Sequence, residues 1–321
     1  MSSSLEVVRS VKLGILVPTN LIGNILVVLV VMRTRKSLQT PMNYLLVNLA
    51  FADITVAVFM VIDQLFFHMV HHPEGVAGEI LCKLLTGKIL TWVGSVASVC
   101  TLVVIAFERF YAIVLPYKRT AQLTKRKTVV TVVFCWIIAL TFNLPLFVVR
   151  KRNLNFKETG FFCRSYWPSK QLAIAYNFLW LVFVGVVPVV LMAVLYGRIV
   201  FSLWFHQNSV TNEAQKARLK SRKRVTKMLV TLSVIYAVCW FPNLLINTIN
   251  YYIEIPALRS IGYLVSEMLV LLNSSINPFV YALQSKQFRE AIKTIVCCRE
   301  GGRVMPLVAA TRNETTLVRV L

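Results

Sequence analysis

The chain has 321 residues, of which 57% are hydrophobic and 15% charged, with a formal net charge of +22. Soluble domains carry about 25% charged residues, so a pair of soluble domains is excluded and a polytopic membrane protein is expected. The positive charge does not point to nucleic acid. Most of the 35 Lys and Arg fall on segments expected to face one side of a membrane, and the positive-inside rule makes that side cytoplasmic.

The first apolar run, Leu13 to Met32, is long enough to span and lacks a small-residue cleavage site. It reads as a retained span behind a short N-terminus (residues 1–12) expected outside. Asn24, directly after Gly23, sits in its middle, where a buried amide is often interhelical glue. Pro41 opens a second span, Met42 to about Phe67, at a helix start where its missing donor does no harm. Asp53 lies near the midplane of this span among apolar neighbours. A carboxylate there must be neutralised, hydrogen-bonded within the bundle or bound to a cation. Asp63 falls near the outer end of the same helix. An outer loop, His68 to Leu81, leads to Cys82 and the third span, which ends at Glu108-Arg109-Phe110-Tyr111. The bland reading of that Glu-Arg pair is an interfacial anchor with a snorkelling arginine.

The fourth span, about Val129–Val149, carries Trp136 centrally and Pro145 near its outer end. The next outer loop, Arg150 to Lys170, is basic, with Glu158 its lone acidic residue. A fifth span, about Leu172–Leu203, is interrupted by Pro188, which should kink it, and carries Tyr196 a little over two turns later. The polar segment from Trp204 to Lys227 is rich in Lys and Arg. It suits a solvated helix extension held by anionic headgroups, and such an extension could also face a transducer. The sixth span, about Met228–Ile253, contains Cys239-Trp240-Phe241-Pro242. The seventh, about Ile261–Leu283, contains Asn273-Ser274-Ser275-Ile276-Asn277-Pro278-Phe279-Val280-Tyr281. Beyond it, residues 284–298 place apolar side chains at helical spacing, as an amphipathic helix on the membrane surface would. Cys297 and Cys298 are candidates for S-palmitoylation. The tail, 299–321, is cytoplasmic on this reading.

Taken together, Glu108-Arg109-Phe110 with Pro116-Tyr117, the LAFAD stretch ending at Asp53, Cys-Trp-Phe-Pro and Asn-Ser-Ser-Ile-Asn-Pro resemble the rhodopsin-like G-protein-coupled receptors. The motifs run in the family's order from Asn24 to Phe288. The expected fold is therefore an all-α membrane protein: a seven-transmembrane helix bundle over residues 13–283, with a short amphipathic eighth helix. The resemblance implies a disulfide between Cys82 and Cys163, leaving Cys100, Cys135 and Cys239 as buried thiols. It also implies a sodium pocket of Asp53, Ser98, Asn273, Ser274 and Asn277, with no other cofactor or metal. Glu108, Arg109, Tyr196, Trp240, Pro242, Pro278 and Tyr281 would act as activation switches, Arg109 leaving Glu108 to turn toward the two tyrosines. Phe110 replaces the family's usual tyrosine, a mild change. The Cys82–Arg109 separation is about two residues longer than the family's, and an extra turn or bulge near Thr86–Lys88 would absorb it.

Implied partners are an extracellular ligand, a heterotrimeric G protein, arrestin and membrane lipids, at the plasma membrane. Thr91 stands where amine receptors place their ammonium partner, and Leu271 where opsins hold retinal, so neither class is expected. Spans six and seven are most similar to neuropeptide receptors. Asp63 and Glu267 could share an outer cavity with Thr91, Tyr176, Trp180, Asn243 and Asn247 and favour a cationic group, as on a basic peptide with an amidated C-terminus. Alternatively, both acids pair with Lys88 or Arg164 and bind nothing. The basic outer loop would oppose a cationic ligand, though screening limits that repulsion to about 8 Å. A receptor of this fold for an amine, nucleoside or lipid remains the alternative. So does a membrane transporter, although no internal repeat is visible.

Overall fold

The computed structural model describes residues 7, 10–33, 40–69, 73–118, 122–153, 162–205, 213–249 and 262–296. Seven long helices follow one another: α1 (Lys12–Arg33), α2 (Pro41–Met69), α3 (Ile89–Ile113), α4 (Lys125–Val149), α5 (Lys170–Phe205), α6 (Glu213–Ile249) and α7 (Tyr263–Gln284). Among the described residues, six helices have the length and apolarity to cross a membrane. The seventh, α7, has the length, but Glu267 and the Asn-Ser-Ser-Ile-Asn-Pro run dilute its apolarity, and those side chains face inward instead. The short α8 (Lys286–Val296) follows, burying Phe288 and Ala291 and setting the Phe288 ring edge-on to Tyr281. Cys297, Cys298 and the tail lie outside the described residues.

Burial is inverted relative to a water-soluble protein. Val129, Phe134 and Ile137 of α4 and Phe183, Val190 and Val194 of α5 are exposed, whereas Asn20, Asn24, Asn48, Asp53 and Asn143 are buried. Lipid is as apolar as a leucine core, so helix association there rests on packing and internal hydrogen bonds. One such chain joins three helices: Trp136 Nε1 donates to Asn48 Oδ1 at 3.0 Å, and Asn48 Nδ2 donates to Thr101 Oγ1 at 2.8 Å. The helix ending at Ile113 is central, with 78% of its apolar window buried against 28% for α4.

Two prolines leave backbone carbonyls that other helices satisfy. Pro188 cannot donate to Val184, four residues earlier, and a π-helical turn, Leu181–Val186, precedes it. The Tyr236 hydroxyl of α6 donates to that Val184 carbonyl. Pro278 likewise frees the Ser274 carbonyl, and Asn24 Nδ2 of α1 donates to it at 3.1 Å. The approach requires Gly23, since a Cβ there would sit 2.8 Å from Pro278 Cγ. Asn24 is thus glue for a named carbonyl.

Three sequence expectations change. The stretch before Cys82 is partly helical (Gly75–Leu81), and a π-helical turn (Cys82–Thr86) joins it to a break at Gly87 and Lys88, where Lys88 takes φ 57°. A π turn holds more residues per rise than an α turn, so the long Cys82–Arg109 separation is absorbed around the anticipated place. The basic outer loop contains strands β1 (Arg150–Arg152) and β2 (Cys163–Ser165), paired antiparallel with Arg150 opposite Ser165. A disulfide joins Cys82 to Cys163 and ties this hairpin to the head of α3. Finally, Cys100 is only half-buried, while Cys135 and Cys239 are buried as expected. The polar segment before span six is helical from Glu213, and its anticipated end near Ile253 lies outside the described residues.

Candidate functional site

The disulfide end of the bundle holds a cavity of about 110 Å³. Four aromatic side chains form its walls: Trp92 of α3, Trp167 after β2, and Tyr176 and Trp180 of α5. Ser169 caps the start of α5 by accepting from the Leu172 N–H, which fixes the turn presenting Tyr176 one face later. The Tyr176 hydroxyl donates to the Phe142 carbonyl at 3.2 Å, and its ring stacks on Phe142. Asn243, Leu244 and Asn247 of α6 supply the opposite wall, with Leu146 and Arg150 from the end of α4 and the start of β1. Asn247 Nδ2 donates to Asn243 Oδ1 at 3.1 Å, and Asn243 Nδ2 donates to Ser266 Oγ of α7 at 3.0 Å. The cavity's amides are therefore oriented with their donors already engaged.

Four of the seven expected ligand residues meet here: Tyr176, Trp180, Asn243 and Asn247. The other three do not line this cavity. Thr91 is fully buried, and its Oγ1 has no hydrogen-bond partner among the described residues. Asp63 and Glu267 face lysines. Glu267 Oε2 lies 3.1 Å from Lys12 Nζ and its Oε1 2.7 Å from Lys88 Nζ, while Asp63 Oδ2 lies 3.4 Å from Lys88. Lys12 and Glu267 are each 1% exposed, so this pair is desolvated. The carboxylates expected to await a cationic ligand thus already hold two cations of the chain, and Arg164 is not among them. Lys88 was anticipated as a partner and Lys12 was not. A lysine at the start of an apolar run reads equally well as a snorkelling interface residue.

The cavity floor leads inward through aromatic rings. Trp92 packs edge-on to Trp180 with centroids 5.7 Å apart, and to Trp240 at 6.5 Å. Trp240 precedes Pro242 in α6 and also packs on Tyr236, at 5.9 Å. Below it, Asp53 is fully buried, with Ser98 Oγ donating to Oδ1 at 3.1 Å and Asn277 Nδ2 donating to Oδ2 at 2.7 Å. Ser274 is also in hydrogen-bonding reach of Asp53, whereas Asn273, though buried one turn away, does not bond it. Carboxylate, hydroxyl and amide oxygens around one buried charge suit a hard monovalent cation.

At the opposite end, Arg109 is held by its neighbour Glu108. Both Nε and Nη2 donate to the carboxylate, the latter at 2.5 Å. This two-point geometry is the strong form of a guanidinium–carboxylate contact. Tyr196 and Tyr281 are both buried toward this end, and the Tyr281 hydroxyl has no hydrogen-bond partner among the described residues. At the same end the α6 extension adds Lys216, Lys220, Arg222, Lys223 and Arg224.

Comparison with known proteins identifies the pattern. The family described as "7 transmembrane receptor (rhodopsin family)" matches residues 23–281. A thyrotropin-releasing hormone receptor of Mus musculus is 30% identical over 323 aligned positions, covering 92% of this chain and 80% of that protein. A QRFP-like peptide receptor of Branchiostoma floridae is 29% identical, covering 89% of this chain and 76% of that protein. An allatostatin-A receptor of Bombyx mori is 30% identical, covering 87% and 76%.

Proposed function

The chain belongs to the rhodopsin family of seven-transmembrane receptors, and from that premise we propose that it reports an extracellular peptide to a heterotrimeric G protein. The receptors it is similar to are named for peptides, which supports that ligand class. One observation carries the coupling: the wall of the disulfide-end cavity reaches Trp240, on the helix that Pro242 interrupts, through Trp92. A ligand that repositions Trp92 acts directly on the α6 kink.

A receptor needs two arrangements of comparable free energy, one of which binds the ligand better. The resting arrangement here keeps Arg109 on Glu108. On activation, α6 swings outward about Pro242, and Arg109 leaves Glu108 for Tyr196 and Tyr281 as Pro278 lets α7 adjust. The basic inner surface then receives the G protein and later arrestin. Asp53, Ser98, Asn273, Ser274 and Asn277 would hold a sodium ion, which supplies a countercharge for the buried carboxylate. Tyr176, Trp180, Asn243 and Asn247 bind the ligand, while Asp63, Thr91 and Glu267 act from beside the cavity. The chain resides in the plasma membrane with its N-terminus outside, α8 on anionic lipid and Cys297 and Cys298 acylated.

Cells expressing the chain with a G-protein reporter test this reading. Peptide pools are applied beside amines, nucleosides and lipids. A peptide response is expected, and a response confined to another class would overturn the peptide assignment. Ligand flux without nucleotide exchange would instead indicate a transporter.

A further inference from the structure

Arg150 stands in the cavity wall with no ion-pair partner among the described residues. The α4 helix ends on the Arg150 N–H, which donates to Leu146, and the residue pairs with Ser165 across the β1–β2 ladder. Both constraints fix its backbone at the cavity, where Leu146 and Ser165 are lining neighbours. Its Nε is wholly buried and has no hydrogen-bond partner among the described residues. No carboxylate among them forms an ion pair with it, and Asp63 and Glu267, at the same end, are engaged by Lys88 and Lys12. A buried guanidinium donor without an acceptor is costly, and an incoming acceptor would recover that cost.

The rest of the cavity narrows the chemistry. Its aromatic walls suit a flat or bulky apolar group. The Asn247 side-chain oxygen is the amide acceptor left to serve a ligand, because both amide nitrogens already donate and Asn243 Oδ1 accepts from Asn247. That acceptor calls for a ligand N–H. The volume, about 110 Å³, is below the roughly 150 Å³ of a closed cavity that holds benzene, so a ligand's terminal side chain is only partly enclosed and the rest of the ligand lies outside.

We infer that Arg150 is the specificity residue of this site and selects a carboxylate borne next to an amide N–H and an aromatic or large apolar side chain. That is the chemistry of an N-acylated aromatic amino acid, whether as the free C-terminus of a peptide or as a small acid by itself. The guanidinium grips both carboxylate oxygens, which a terminal carboxamide cannot offer. This inference rests on the receptor reading above but replaces the cationic ligand expected from Asp63 and Glu267 with an acidic one.

The test uses the full chain in nanodiscs and matched pairs of probes. N-acetylphenylalanine and its amide report direct binding by quenching the cavity tryptophans, and short peptides ending in Phe or Trp, as acid or amide, report nucleotide exchange. Acids are expected to bind about tenfold or more tighter than amides, as a charge-assisted bond implies. The preference should fall to within about twofold in Arg150→Gln and survive in part in Arg150→Lys, which keeps the charge but not the fork. Surface expression and the thermal midpoint of each variant show that it folds, and Arg150→Lys carries the comparison if Arg150→Gln does not. Arg150-dependent acid binding with no peptide-driven exchange would sustain this inference and reject the peptide reading. Peptide-driven exchange with equal responses to acid and amide, or an acid preference unchanged in the Arg150 variants, would reject the inference and leave the peptide reading standing. No Arg150-dependent acid binding in either arm overturns it.

Discussion

Replacing Glu267 by Gln tests the lysine–carboxylate cluster at the disulfide end. Glu267 lies between Lys12 at 3.1 Å and Lys88 at 2.7 Å, and Lys88 reaches on to Asp63 at 3.4 Å. Two lysines and two carboxylates therefore balance. Glu267→Gln leaves Lys12, 1% exposed, without a countercharge, whereas Lys12→Met leaves Glu267 with Lys88. Breaking a buried pair by removing one partner costs about 3–5 kcal/mol in soluble proteins. An unfolded chain still in lipid finds other partners, so the lower end, about 3 kcal/mol, is the reasonable figure here. At about 2–4 °C per kcal/mol for a large domain, Glu267→Gln should lower the midpoint by roughly 6–12 °C. Lys12→Met should cost markedly less. The double variant, Lys12→Met with Glu267→Gln, should be more stable than Glu267→Gln alone, because the stranded ammonium is gone. The assay is the apparent thermal midpoint in nanodiscs at one fixed scan rate, since unfolding of such a chain is kinetically controlled. A double variant less stable than Glu267→Gln, or Lys12→Met costing the more of the two single changes, would refute this reasoning.

Gly23→Ala places a methyl 2.8 Å from Pro278 Cγ. Overpacking of this kind costs about 1–3 kcal/mol, and the thermal midpoint should fall by several degrees. An unchanged midpoint would mean that α1 and α7 do not meet as described. Asn24→Ala should also destabilise, by about 1 kcal/mol, because the Ser274 carbonyl freed by Pro278 loses its donor. Sodium chloride should raise the thermal midpoint of the native chain above that in choline chloride. Asp53→Asn should abolish the difference, and an equal sodium effect in the variant would move the ion elsewhere. Cys82→Ser and Cys163→Ser should lower surface expression to the same degree, and unequal losses would argue against their shared bridge.

The spans were legible because lipid imposes them. A chain crossing hydrocarbon needs about 20 apolar residues, and its backbone must bond within helices, so run length marked six segments and the Asn-Ser-Ser-Ile-Asn-Pro motif helped to mark the seventh. Asp53 was legible for a related reason, since a midplane carboxylate is tolerated only with a partner, while its grouping with Ser98 and Asn277 came from the family resemblance. What met what was less visible. Asn24 read as general glue, but its actual partner, the Ser274 carbonyl 250 residues away in sequence, is left open only because Pro278 withholds a donor. Tyr236 bonding to Val184 follows the same logic from Pro188 and was not anticipated. The cluster at Glu267 was half-seen: Lys88 was weighed as a partner, whereas nothing marked Lys12, at the start of an apolar run, as one. Arg150 was counted only as loop charge, because nothing in a run of Arg-Lys-Arg says which side chain turns inward. That choice is made by strand pairing, where alternate residues take opposite faces. The hairpin itself is too short, and too charged, to show a strand pattern.

The most direct test of the account is agonist-stimulated guanine-nucleotide exchange by the purified chain in nanodiscs with a heterotrimeric G protein, comparing the native chain with Arg109→Ala. The account predicts that an active peptide accelerates exchange on the native chain. It predicts that Arg109→Ala still binds the peptide but leaves exchange at the rate of the G protein alone. Peptide-driven exchange that persists undiminished in Arg109→Ala would contradict it.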